Sequence, residues 1–154
     1  MKIIKVILFE IVVIFLAFAS AWFFALVDKA LGLTSVQANW SIMAGSIIIF
    51  FALLLRFWAV YAFYAGKIEF LALKAQESIV KKAPFNFTRN PMMLSNVLIA
   101  LAAVLILGSV TGFIIPLATL VISHLWLVFY EEKDLEKKLG KEYLVYKKAV
   151  PRWL

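Results

Sequence analysis

Residues 91–132 read "PMMLSNVLIALAAVLILGSVTGFIIPLATLVISHLWLVFYEE". Two apolar runs, about Pro91 to Leu107 and about Gly112 to Tyr130, are separated only by "GSVTG". Gly and Ser at such a junction make a tight turn, so the runs form a helical hairpin. A membrane-spanning helix takes about 20 mostly apolar residues; the second run is close to that length and the first is short. Pro116 falls early in the second run, where its missing N–H does least harm. Polar residues stand at both open ends of the hairpin, "NFTRN" (86–90) before it and "EEKD" (131–134) after it.

Working outward, two more apolar runs precede the hairpin, about Ile4 to Val27 and about Trp40 to Tyr64. The first is too long for a signal peptide, and no small-residue cleavage site follows it before Asp28. Composition agrees: 65% of the 154 residues are hydrophobic and the mean hydropathy is +0.98, where soluble domains are nearer half apolar. The expected architecture is an all-α membrane protein of four transmembrane helices plus a cytoplasmic amphipathic C-terminal helix, in one membrane-embedded domain over residues 1–154.

Charge sets the expected orientation. Lys2 and Lys5 precede the first helix. Lys67, Lys74, Lys81, Lys82 and Arg89 lie between the second and third, and a run of lysines with Arg152 follows the fourth. The opposite side holds Lys29. Lysine and arginine gather on the cytoplasmic side of membrane proteins, which places both termini, and everything polar enough for chemistry, in the cytoplasm. The net charge of +7 is accounted for in this way. Nucleic acid is excluded as a partner because no basic patch is interleaved with stacking aromatics. The absence of cysteine rules out disulfides, thiolate metal sites and a cysteine nucleophile. Nothing in the sequence sets an oligomeric state.

The two cytoplasmic segments differ. Ile68, Leu71, Ala75 and Ile79 keep a helical spacing that extends the second helix to about residue 80. In "EEKDLEKKLGKEYLVYKKAVPRWL" (131–154), Leu135, Leu139, Tyr143, Tyr146 and Val150 form one stripe. This predicts an amphipathic helix over 131–149, weakened by Gly140. Tyr143 and Tyr146 are expected to turn inward and Lys137, Lys141 and Lys148 outward.

Ionisable groups at membrane depth are costly and mark candidate sites. Glu10 and Arg56 lie about two turns from the cytoplasmic ends of the first two helices, a matched depth that predicts an ion pair, either structural or turned toward an anionic ligand. His124, the single histidine, lies on the fourth helix, with Glu131 seven residues on from nearly the same face and Glu132 next round. That spacing is too long for two metal ligands on one helix, and there is no second histidine, so no metal is expected. His124 is then either a hydrogen-bonded packing residue or part of a polar pocket with the two glutamates.

"APFNFTRNPMML" (83–94), then His124, then "EEKDLEKKLGKEYLVYKKAVPR" (131–152) resemble the signature of the integral-membrane methyltransferases, the family of isoprenylcysteine carboxyl methyltransferase and the phospholipid N-methyltransferases. The likeness runs from about Ile79 to Arg152. The Glu-Glu, Leu-Gly, Tyr-x-x-Tyr and Val-Pro-Arg elements fall in order. Arg89 and Pro91 match the family's Arg-His-Pro, whereas Asn90 stands for its His and Met93 and Ser95 for a Tyr and a Gly. Asn90 can still donate and accept hydrogen bonds, but it cannot move a proton.

The resemblance implies S-adenosylmethionine as cofactor and a lipophilic acceptor entering from the bilayer, of isoprenylcysteine carboxylate or phospholipid amine type. It implies cofactor binding by Arg89, Asn90, Pro91, His124, Glu131, Glu132 and Tyr146: the turn at Arg89–Pro91 takes the carboxylate, Glu131 or Glu132 the ammonium, and His124 the polar end. Arg89, Asn90 and Arg152 are its candidate catalytic residues, with Arg152 orienting the acceptor. Two other readings stand beside it, an NADPH-dependent sterol- or enone-reductase-like membrane enzyme and a non-enzymatic membrane protein of the same fold.

Overall fold

The computed structural model describes residues 2–65 and 82–154. The expected helical extension through Ile68, Leu71, Ala75 and Ile79 lies outside the described residues. Within them the chain is helical: α1 (Lys2–Ala30), α2 (Asn39–Ala65), α3 (Pro91–Leu107), a 3₁₀ turn (Thr111–Phe113), α4 (Ile114–Trp126), a π turn (Leu127–Glu131), α5 (Glu132–Leu139) and α6 (Lys141–Ala149).

Three helical stretches are long and apolar enough to cross a membrane: Leu8–Ala30, Asn39–Ala62 and Thr111–Leu139, the last made of the 3₁₀ turn, α4, the π turn and α5 in succession. Four spans were expected. The remaining one, α3, has 17 residues, about 25 Å at 1.5 Å per residue, against a hydrocarbon core of about 30 Å. Its packing is different too, because α3 touches α1, α2 and α4 and forms the centre of the bundle. The outer helices present large apolar side chains outward, among them Phe15, Trp22, Phe50, Phe57 and Ile122, as a lipid-facing surface does.

Small residues let the helices close on α3, since lipid tails give no hydrophobic drive between helices and close packing must supply the attraction. Ser95, Ile99, Ala100, Ala102, Ala103 and Val104 are buried along it. Ala21 of α1 packs on Ala103 and Val104. Gly45 of α2 sits so near that a Cβ there would lie 2.9 Å from the Ala102 carbonyl oxygen, closer than packed atoms approach, so that position requires glycine.

The turn expected at "GSVTG" is present. Gly108 ends α3 in the left-handed conformation, φ 66°, and the Ser109 N–H reaches back to the Val104 carbonyl, 3.2 Å, as helix C-caps do. Asp28, at the far end of α1, secures this turn. Its carboxylate accepts from Ser109 Oγ (2.7 Å), the Val110 N–H (2.7 Å), the Thr111 N–H (3.1 Å) and Thr111 Oγ1 (2.6 Å). An acid at the N-terminal end of a helix satisfies donors the helix cannot.

At the other end, the expected Glu10–Arg56 ion pair is formed, and Arg56 is buried. The amphipathic segment expected over 131–149 is not one helix. Gly140 breaks it with φ 53° and ψ −126°, a conformation that glycine adopts without strain, and α6 folds back so that Tyr143, Tyr146 and Val150 pack together with Leu135 and Leu139. The inward stripe is the expected one, and Lys137, Lys141 and Lys148 are exposed.

Candidate functional site

The site is built where three pieces meet: the turn before α3, the π turn leading into α5, and a C-terminal strap over 150–153. Pro91 is the first residue of α3, a position where proline's fixed φ and missing N–H suit the helix. Asn90 is the N-cap, but its side chain makes no capping bond. Its Nδ2 donates instead to the Arg152 carbonyl, 3.1 Å, as does Thr88 Oγ1, 3.1 Å. The Arg89 N–H donates to the Pro151 carbonyl, 3.0 Å. The strap therefore lies across the Thr88–Asn90 backbone.

Side chains close the junction through Glu132. Arg89 Nη1 donates to Glu132 Oε1 (3.0 Å) and to the Tyr143 hydroxyl (3.3 Å). Arg152 forks onto the same carboxylate, Nε to Oε1 at 2.6 Å and Nη2 to Oε2 at 3.0 Å. Lys147 Nζ lies 3.0 Å from Oε2. Three cations thus share one carboxylate whose side chain is 4% exposed, the pairing that makes a buried charge tolerable. Lys147 is held protonated beyond the usual lysine range by its bonds to Glu136 and Glu132. Burial raises the Tyr143 hydroxyl, helped by the negative Glu132 beside it.

The π turn determines which glutamate does this. The Glu132 N–H donates to the Leu127 carbonyl five residues back, so this turn takes about one residue more than an α turn. Ser123 and Leu127 face the interior, and an uninterrupted α-helix would next turn Glu131 inward. The extra residue brings Glu132 there instead and leaves Glu131 half-buried, making no hydrogen bond or ion pair among the described residues. The expectation that Glu131 shares the His124 face rests on α periodicity, which fails at this turn.

The remaining candidates sit around this hub. His124 Nδ1 accepts from Trp153 Nε1 at 3.3 Å, with the rings stacked at 6.4 Å. The Tyr146 hydroxyl donates to the Phe85 carbonyl at 2.6 Å, and burial pushes its pKa up to about 12, so it is a fixed donor that pins α6 to the turn over 83–87. The structure joins Arg89, Asn90, Glu132 and Arg152 in one network. It ties His124 and Tyr146 to neighbouring parts of the same C-terminal segment, and it leaves Glu131 outside the network. Sequence reasoning passed over Lys147, Trp153 and Thr88. Lys147 lies on the stripe's margin, one residue from Tyr146, which was the available signal; nothing marked Trp153 or Thr88. A separate open groove of about 590 Å³, lined by Ile122, Leu125, Trp126, Phe129 and Tyr130, runs along the exposed apolar side of the Thr111–Leu139 stretch, away from the buried Leu127 and Glu132.

A family model described as Phospholipid methyltransferase matches residues 40–142, about two-thirds of the chain. The chain belongs to the phospholipid methyltransferase family. The match takes in α2, α3, α4, the π turn, α5 and the start of α6, and with them Arg89, Asn90, His124, Glu131 and Glu132. Methyl transfer by a membrane enzyme is the activity this membership carries, and it favours that reading over the reductase-like and non-enzymatic ones. α1, with Glu10, and the strap, with Arg152, lie outside the matched residues. Neither a curated protein nor a solved structure matches the chain.

Proposed function

We propose that this protein transfers a methyl group from S-adenosylmethionine to a lipophilic acceptor held in the bilayer, with a phospholipid amine favoured over an isoprenylcysteine carboxylate by the family match. The supporting observation is the junction of Arg89, Glu132 and Arg152 at the mouth of the α3–α4 hairpin. The proposed arrangement has four spans, α3 among them, with both termini and this junction cytoplasmic, as the lysine and arginine asymmetry argues.

The residues fit the cofactor. Arg89 Nε is buried without a hydrogen-bond partner, and an unmet donor on a cation suits a carboxylate. Half-buried Glu131 suits an ammonium. When bound, S-adenosylmethionine supplies a methyl group on a sulfonium, ready for direct displacement. The acceptor amine attacks the methyl carbon in its neutral form, its proton passing to water and the sulfonium leaving as a neutral thioether, so the transfer asks the protein chiefly for alignment. Pro91 sets the first turn of α3 and so the place of Arg89. Glu132 and Tyr143 hold the Arg89 guanidinium by Nη1 and leave its Nε free to bind. Asn90 ties the turn to the strap and takes no part in proton movement. Arg152, with its fork on Glu132, acts as a positioning residue for that carboxylate; orienting an acceptor would require it to release that grip.

The test is calorimetry with S-adenosylhomocysteine, set against NADPH, on the protein in lipid nanodiscs. Binding of the first and not the second is expected. Binding of NADPH alone would move the reading to a reductase, and binding of neither to a non-enzymatic role.

A further inference from the structure

The Glu10–Arg56 pair lies outside the site described above, and one of its two residues lies outside the family match. Arg56 is 4% exposed and ties its own helix, α2, to two others, α1 and α3. Its Nε bonds Glu10 of α1. Its Nη1 donates to Ser95 Oγ at 3.0 Å, to Asn96 Oδ1 and to the Met92 carbonyl at 3.4 Å. Ser95 Oγ itself donates to the Met92 carbonyl at 2.7 Å. Every α3 group in this set lies between Met92 and Asn96, the first turn and a half after Pro91. That is the turn whose entry carries Arg89 and Asn90.

We infer that Arg56, anchored by Glu10, is a positioning residue that fixes the first turn of α3 and, through it, the placement of Arg89. A fixed anchor is needed because α3 is short for a bilayer and its N-terminal end begins at a junction of loops. Small residues set how closely α3 packs, but apolar contacts between small side chains resist rotation and sliding of a helix poorly. A guanidinium has a planar fork of donors that can satisfy a carboxylate on one helix and several oxygens on another together. A lysine at position 56 could keep Glu10 but could not span both sets.

The binding arm of the test rests on the proposed function; the exchange arm does not. Arg56→Ala, Arg56→Lys and Asp28→Asn would be compared in nanodiscs. Asp28→Asn weakens the lock at the opposite end of the bundle and controls for loss of global stability. Amide hydrogen exchange is read over 92–97 and over 101–106, with denaturant chosen so that the variants are equally stable. The expected result is faster exchange over 92–97, by at least tenfold, in both Arg56 variants, no such change in Asp28→Asn, and S-adenosylhomocysteine affinity at least tenfold weaker in the Arg56 variants alone. Equal exchange over 92–97 in Arg56→Ala and Asp28→Asn at matched stability would overturn the inference, as would full rescue by Arg56→Lys. If the wild type binds no S-adenosylhomocysteine, the proposed function fails while the exchange arm still decides the role of Arg56.

Discussion

Glu131 and Glu132 are adjacent and chemically identical, yet they are expected to respond differently to the same substitution. Glu132 is buried under Arg89, Arg152 and Lys147. Glu132→Gln leaves those cations without their counter-charge, and breaking a buried pair costs about 3–5 kcal/mol. The expected result is a large fall in melting temperature, together with lost cofactor binding as Arg89 is released. Glu131 has no such partners. Glu131→Gln should leave the melt within about 0.5 kcal/mol of wild type and weaken S-adenosylhomocysteine by about 1.5–3 kcal/mol, the worth of a hydrogen bond to a charged group. Thermal melts and calorimetry on the two variants check the contrast; a swap of the two phenotypes would reverse the assignment. The sequence shows both glutamates but cannot separate them, because the distinction comes from one extra backbone residue in the turn between Leu127 and Glu131.

Among the elements, the C-terminal segment converts a stripe of side chains into a clasp. The stripe was legible because Leu135, Leu139, Tyr143, Tyr146 and Val150 repeat at helical spacing. The break at Gly140 was legible only as a weakness: whether a glycine bends or merely softens a helix depends on what the two halves can pack against. The hydrogen bonds of the strap to Thr88, Arg89 and Asn90 were not legible, since they run largely through backbone carbonyls that any sequence offers. Gly140→Ala forces a Cβ into a positive-φ conformation and should destabilise the protein by about 1–3 kcal/mol, read as a lower denaturation midpoint. The Tyr146 hydroxyl adds a pH signature. Its pKa rises from 10.0 to about 12 on folding, so the folded state holds that proton more tightly than the unfolded one. The stability it contributes is complete below about pH 10 and is lost as pH rises through about 12. Tyr146→Phe should flatten that alkaline fall, and a variant that loses stability as steeply as wild type over that range would show that Tyr146 is not its source.

At the scale of the whole molecule, helices sorted by charge carry a site at one end and a lock at the other. The apolar runs made the helices legible, and the lysine asymmetry is the basis of the proposed orientation. The central place of α3 was not legible, because a short apolar run looks alike whether lipid or protein surrounds it. The chain's lack of cysteine makes the proposed topology directly measurable. Single cysteines at Gly32 and at Lys148 should label from opposite sides of sealed, oriented vesicles, Lys148 from the cytoplasmic side; labelling of both from one side would refute the four-span arrangement. The central claim is methyl transfer into the bilayer. Its most direct measurement is incubation of the protein, in nanodiscs containing an aminophospholipid, with S-adenosylmethionine labelled on its methyl group. The account predicts label in the organic-soluble lipid fraction, reduced at least tenfold by Glu131→Gln. Label that stays entirely with the water-soluble cofactor, from folded protein supplied with both amine and isoprenylcysteine acceptors, would contradict it.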